Sequence, residues 1–203
     1  YCNSPEAGLW ADPDGTVFWG ESGGRLRKYD GTTGIVTTVL GGSTVHDGEP
    51  ARKAFLRGPY DVSISPTGDI YIADTYNQRV RAIDAHTGTI RTVAGNGARA
   101  YGGDGRDATD AYLGNPNSVA VDSKGRVVIA DTRHSHVRRV DEQGIIHNLA
   151  GAAFPWDKGD GGPSICANLV YPQSVEINQL DHIYIADGGV GRIRLIDATT
   201  GII

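Results

Sequence analysis

Four copies of one pattern run along this chain. A proline opens each copy, at Pro5, Pro59, Pro116 and Pro172, about 56 residues apart. An acidic residue follows at Glu21, Asp74, Asp131 and Asp187, then a basic pair at Arg25/Arg27, Arg79/Arg81, His136/Arg138 and Arg192/Arg194. A second aspartate closes the stretch at Asp30, Asp84, Asp141 and Asp197. Four matches in one order and spacing are not coincidence. Self-similarity at a fixed period specifies an array of small units that share their cores with their neighbours. The copies span residues 1–55, 56–112, 113–168 and 169–203, the last incomplete, and together make one domain.

Each copy reads as four short strands. The second is clearest. Asp61-Val62-Ser63-Ile64 alternates, as a half-covered strand does. Ser65-Pro66-Thr67-Gly68 turns, and Ile70-Tyr71-Ile72-Ala73 is continuously apolar, as expected for a strand covered on both faces. Arg79 to Ile83 alternates again, Ala85-His86-Thr87-Gly88 turns, and Thr89 to Ala94 makes a fourth strand. Gly is correspondingly abundant, at 29 residues, and no segment carries a helical period. Repeated four-stranded antiparallel units are the logic of a propeller blade. The strand after each proline is expected innermost, and the strand ending Val-Ala-Gly outermost.

The combination of Pro, Val-Ala-Val-Asp, Gly, Ile-Tyr-Ile-Ala-Asp, Asn and Arg-Val-Arg resembles the NHL-repeat family of β-propellers, most closely over Pro59 to Gly95 and Pro116 to Gly151. The long connections through Gly102-Gly103-Asp104-Gly105 and Gly159-Asp160-Gly161-Gly162-Pro163 resemble the extended form of the repeat found in bacterial and extracellular members. The resemblance implies an all-β propeller, commonly of six blades, of which about four are present, and an extracellular or cell-surface location. The chain lacks an initiator Met and stops at Gly201-Ile202-Ile203 within the pattern, so it reads as part of a longer or processed chain. Several positions depart from the pattern. Glu21 and Gly23-Gly24 replace the Asp and Asn region, His134 and His136 replace Asn77 and Arg79, and Asn178 to Asp181 lacks the turn glycine.

Charge and cysteine usage narrow the partners. The net charge is −5, and basic residues never cluster. Phosphate binding needs a basic footprint, so nucleic acid is not the expected partner. No stretch is apolar enough to cross a bilayer, so membrane insertion is not expected either. Cys2 and Cys166 lack metal-site spacing, and a bridge between them would link the first repeat to the loop before the last.

Four groups of residues could carry function. Asp74 with Arg79, and Asp187 with Arg192, sit at strand ends. Together with Arg81, Asp131, Arg138 and Arg194 they recur in every unit, which marks them as ion pairs holding the fold rather than ligand contacts. Asp104, Asp107 and Asp110 crowd one Gly-rich loop and are the candidates for calcium, the one cofactor weighed, although their spacing matches no EF-hand loop and Asp-Gly is also a turn signal. The histidines show no equivalent inner positions in successive repeats, so a zinc site at the axis is not expected. The long inter-blade loops are the best binding candidates. They should emerge on the same face as the short loops Thr75 to Gln78 and Thr132 to Ser135. The residues named for this face are Tyr76, Arg99, Tyr101, Arg133, His134, Phe154 and Trp156, since exposed aromatics beside polar groups make interface anchors. The function expected is therefore a non-catalytic scaffold presenting these loops to a protein or glycan. Two alternatives stand beside it: a self-assembling subunit of an extracellular fibre or appendage, and a metal-dependent propeller lyase or hydrolase.

Overall fold

The computed structural model describes residues 9–21, 23–43, 46–151 and 159–203. Fifteen strands among them form four antiparallel sheets, each ordered as in the sequence. Blade 1 holds β1 (Leu9–Ala11), β2 (Val17–Glu21), β3 (Arg25–Tyr29) and β4 (Val36–Leu40). Blade 2 holds β5 (Pro59–Ile64), β6 (Ile70–Asp74), β7 (Arg79–Ile83) and β8 (Ile90–Ala94). Blade 3 holds β9 (Pro116–Val121), β10 (Val127–Asp131), β11 (His136–Val140) and β12 (Ile146–Ala150). Blade 4 has three strands, β13 (Pro172–Ile177), β14 (Ile183–Asp187) and β15 (Arg192–Ile196).

The strands after the prolines, β5, β9 and β13, neighbour one another across the blades, so they are innermost, as the sequence order implies. Proline lacks an N–H and is tolerated at the first residue of a strand. In all three blades the pairing slips just after it. Pro59 faces Asp74 while Asp61 faces Ala73, and the same step recurs at Pro116/Ser118 and Pro172/Ser174. One residue per blade, Tyr60, Asn117 or Gln173, is thereby left as a bulge.

The core lies between blades. Tyr71, Ala73, Val80 and Ala82 of blade 2 pack on Val119, Val127 and Ile129 of blade 3. Val128, Ala130 and Val137 of blade 3 pack on Val175, Ile183 and Ile185 of blade 4. This explains why β6 and β10 read as continuous apolar runs: both of their faces are covered. Side chains stitch the same seams. Thr75 Oγ1 donates to the Pro116 carbonyl and Thr132 Oγ1 to that of Pro172, each at 2.7 Å. Where blade 4 lacks a turn glycine, Asp181 takes the left-handed backbone (φ +61°) and its carboxylate accepts from Ser123 of blade 3.

Each inter-blade loop touches the outer edge of the next blade through one isolated bridge. Pro50 bridges to Thr89, Asp107 to Ile145, and Pro163 to Ile202. The loops assigned by sequence to the end of one repeat therefore hydrogen-bond to the repeat that follows. Cys166 is exposed on the 3₁₀ turn Ser164–Cys166; Cys2, and with it the bridge considered above, lies outside the described residues.

Candidate functional site

In blades 2 to 4 the recurring charged residues form one internal device per blade. The second arginine of each of these three basic pairs points inward: Arg81 and Arg138 are fully buried and Arg194 nearly so. Arg138 Nη2 donates to Asp104 Oδ1 at 2.7 Å and Nη1 to the Tyr112 carbonyl at 2.8 Å, with Asp131 Oδ2 3.7 Å away. Arg81 makes the same contacts with Asp47 (2.7 Å) and Asp74 (4.0 Å), and Arg194 with Asp160 and Asp187 (3.9 Å). The strand-end aspartates also fix the chain entering their blade. Asp74 accepts from the Arg57 N–H, Asp131 from that of Gly114 and Asp187 from that of Val170, each at 2.7 Å. Burial pushes the Asp74 carboxyl above its ordinary range, against the pull of these donors and of Arg81.

Two sequence expectations change here. The side-chain partner of Asp74 is Arg81, with Asn77, rather than Arg79; Arg79 faces Asp74 in register, but its guanidinium donates to the Asn96 carbonyl. Asp104, Asp107 and Asp110 do not converge on a common point. Asp104 is taken by Arg138, Asp107 accepts from Thr109 at the start of the 3₁₀ turn Ala108–Asp110, and the Asp110 carbonyl accepts from Asn96. Among the described residues no group of three or more His, Cys, Asp or Glu side chains is placed to hold a metal ion.

The loop face gathers several of the named binding candidates. Tyr101 lies over blade 3, with its ring 4.5 Å from that of His136 and 5.4 Å from that of His134. The Arg138 guanidinium is 5.7 Å from the Tyr101 ring centre, a cation–π approach. Tyr101 also donates to Asp104, and partial burial beside that carboxylate pushes its phenol up to about 12. Of the histidines that replace Asn77 and Arg79, the first keeps the role of the residue it replaces and the second does not. His134 Nδ1 takes the place of the Asn77 amide on the strand-end aspartate, 3.0 Å from Asp131 Oδ2. His136 Nδ1 donates to the His134 carbonyl at 2.5 Å, since a carbonyl oxygen can only accept. Arg99 and Arg133 are exposed, and Tyr76 is tied to Tyr60 through their hydroxyls at 2.8 Å. Phe154 and Trp156 lie outside the described residues.

Nearer the axis lies a polar mouth that reasoning from the sequence missed. Tyr60, Asp61, Asn117, Ser118, Gln173 and Ser174 line a cavity of about 390 Å³. Asp61 Oδ2 accepts from Ser118 Oγ (2.6 Å) and the Val119 N–H, and Ser118 Oγ accepts in turn from the Val175 N–H (3.0 Å). This chain ties three inner strands together, and burial raises the Asp61 carboxyl despite its donors. The signal available in the sequence was the variable residue pair that follows each opening proline.

Comparison with known proteins follows the same lines as the geometry. Residues 56–83 match the NHL repeat, and residues 85–158 match the Teneurin NHL domain. The chain belongs to the NHL-repeat family. This NHL-repeat chain is 31% identical over 198 residues to Teneurin-3 of Danio rerio, a match covering 87% of this chain and 7% of that protein. The chain thus spans a small part of the relatives it matches. Among solved structures, an NHL-like neighbour is a Bacteroides thetaiotaomicron protein of unknown function (TM-score 0.69, 19% identity), covering 92% of this chain and 46% of that one. Another is a chain of the nidogen/laminin complex (TM-score 0.63, 16% identity), covering 95% and 64%. At such identities these neighbours speak for the β-propeller fold alone.

Proposed function

We propose that this chain is a non-catalytic interaction module of an extracellular or cell-surface protein, which presents the loop face of its NHL blades to a protein partner. The observation that carries this reading is the Tyr101–His136–His134 patch. Its aromatic rings stand on a base of buried, hydrogen-bonded Arg138, so it is both rigid and partly exposed, the combination that interface anchors have. The recurring Asp and Arg side chains are engaged in holding the blades, which leaves the loops as the variable surface. The match to the Teneurin NHL domain supports an extracellular setting.

The test is binding of the purified chain to an array of secreted and membrane-protein ectodomains. Binding to at least one ectodomain is expected, with Tyr101→Ala and His136→Ala each weakening it about tenfold or more, while both variants keep the wild-type melting temperature. Binding that survives both substitutions would place the interface elsewhere. The competing reading, a metal-dependent lyase or hydrolase, predicts stoichiometric zinc or calcium in the purified protein by elemental analysis.

A further inference from the structure

Three bulges aim side chains at the propeller axis. Tyr60, Asn117 and Gln173 are the residues skipped in the β5/β6, β9/β10 and β13/β14 ladders, and a bulge redirects the side chain it carries. They meet at the 390 Å³ cavity described above. Asn117 also lines a second cavity of about 380 Å³, whose other walls are Asn115, Thr132, Arg133 and Tyr171. Both volumes suit a small-molecule unit. The two cavities share Asn117 in their linings.

The chemistry of the lining excludes most ligand classes. No aliphatic side chain faces the first cavity, so an apolar ligand would find nothing to bury against. No Lys, Arg or His lines the first cavity, which disfavours a phosphate or carboxylate there, and the second has one cation, Arg133. The one carboxylate of the first cavity, Asp61, is already held by Ser118 and the Val119 N–H. What remains is neutral and open to solvent. The side chains of Asn117, Gln173 and Ser174 have no hydrogen-bond partner among the described residues. Amides and hydroxyls both donate and accept, which matches a ligand whose own groups do the same. Tyrosine rings flank the site: Tyr60 and Tyr76 meet edge to face at 5.6 Å, and Tyr171 stands at the far end.

Tyr171 adds an independent sign. It holds φ +50°, at the position before the blade proline where blade 2 has Gly58 and blade 3 has Asn115. A bulky residue is strained there, and glycine is not. Tyr171 is nevertheless 56% exposed, so the fold gains little from burying it. Strain without burial indicates that the ring serves something outside the blade.

We infer that this axial mouth is a saccharide site, taking two adjacent sugar units of a neutral glycan on either side of Asn117. Tyr171 offers its face to the sugar ring in the second cavity, Gln173 and Ser174 bond hydroxyls of the one in the first, and Asn117 stands between them. The site uses residues other than the Tyr101 patch, so it stands or falls separately from the protein-partner reading.

Calorimetric titration of the full chain with cellobiose, maltose, lactose and N,N′-diacetylchitobiose tests it. At least one should bind saturably. Asn117→Ala and Gln173→Ala should each weaken that binding about tenfold, and Lys124→Ala, at the opposite end of the blades, should leave it unchanged. Tyr171→Gly should weaken binding while keeping or raising the melting temperature, a pairing that a purely structural role for the ring would not give. Absence of binding by all four disaccharides, or binding indifferent to the Asn117 and Gln173 substitutions, would overturn the proposal.

Discussion

Arg138 shows how one residue serves two ends. Its guanidinium neutralises buried Asp131 inside the blade and holds Asp104 in the loop above. Removing it would orphan a carboxylate with no exposed surface. Arg138→Ala is therefore expected to cost about 3–5 kcal/mol in urea-induced unfolding, far more than truncation of an exposed arginine such as Arg99. A loss below about 1 kcal/mol would show that the pair contributes little. The sequence disclosed that these charges were structural, because they recur in every blade. It did not disclose their partners. Asp74 lies opposite Arg79 in the ladder, yet its carboxylate is turned inward, where Asn77, the Arg57 N–H and the buried Arg81 meet it, and the loop aspartate that Arg81 also holds comes from 34 residues upstream. Such pairing depends on how the loop folds back, which no local pattern encodes.

Turns and strand ends were the most legible elements, because their chemistry is local. Asp84 closes the turn after β7 by accepting from the N–H groups of His86 and Thr87 and from the Thr87 hydroxyl. These donors hold its carboxyl below the ordinary range, as they do for the equivalent Asp30 and Asp197. A carboxyl lowered by folding stabilises above its unfolded value and loses that contribution as the pH falls through its folded value. Melting temperature should thus drop as the pH falls from about 5 toward 3, and the drop should be shallower in Asp84→Asn, which keeps the acceptor but not the charge. An identical slope in the variant would remove Asp84 from the account. The glycine of Val-Ala-Gly is as exacting. At Gly95 φ is +92°, and an added Cβ would fall 2.2 Å from the Gln78 carbonyl oxygen. Gly95→Ala should destabilise by about 2 kcal/mol or more in denaturant titration. The bulges at Tyr60, Asn117 and Gln173 were harder to read, since a one-residue slip leaves no mark in an alternating pattern.

At the scale of the molecule, the repeat pattern revealed the arrangement of blades because each sheet needs neighbours on both faces. Blade 4 displays the need directly. Ile193 and Leu195 are 72% and 41% exposed, whereas Val80 and Ala82 at the same positions of blade 2 are fully buried against blade 3. We propose that a further blade of a larger ring covers this face. Without one, the 203-residue chain should self-associate through it. Sedimentation should show dimers or larger species that Ile193→Glu with Leu195→Glu returns to monomers; a wild-type monomer at high concentration would contradict this.

The arginine that reaches back to the preceding loop has a consequence for taking such a protein apart. A cut placed at the proline that opens blade 3 separates Asp104 from Arg138, since the loop belongs by sequence to one blade and by charge to the next. The piece that can be transplanted whole therefore begins ahead of the loop aspartate rather than at the proline. A chimera joined at that frame would carry its own counter-charge with it, and one joined at the proline would leave a cation stranded in its interior.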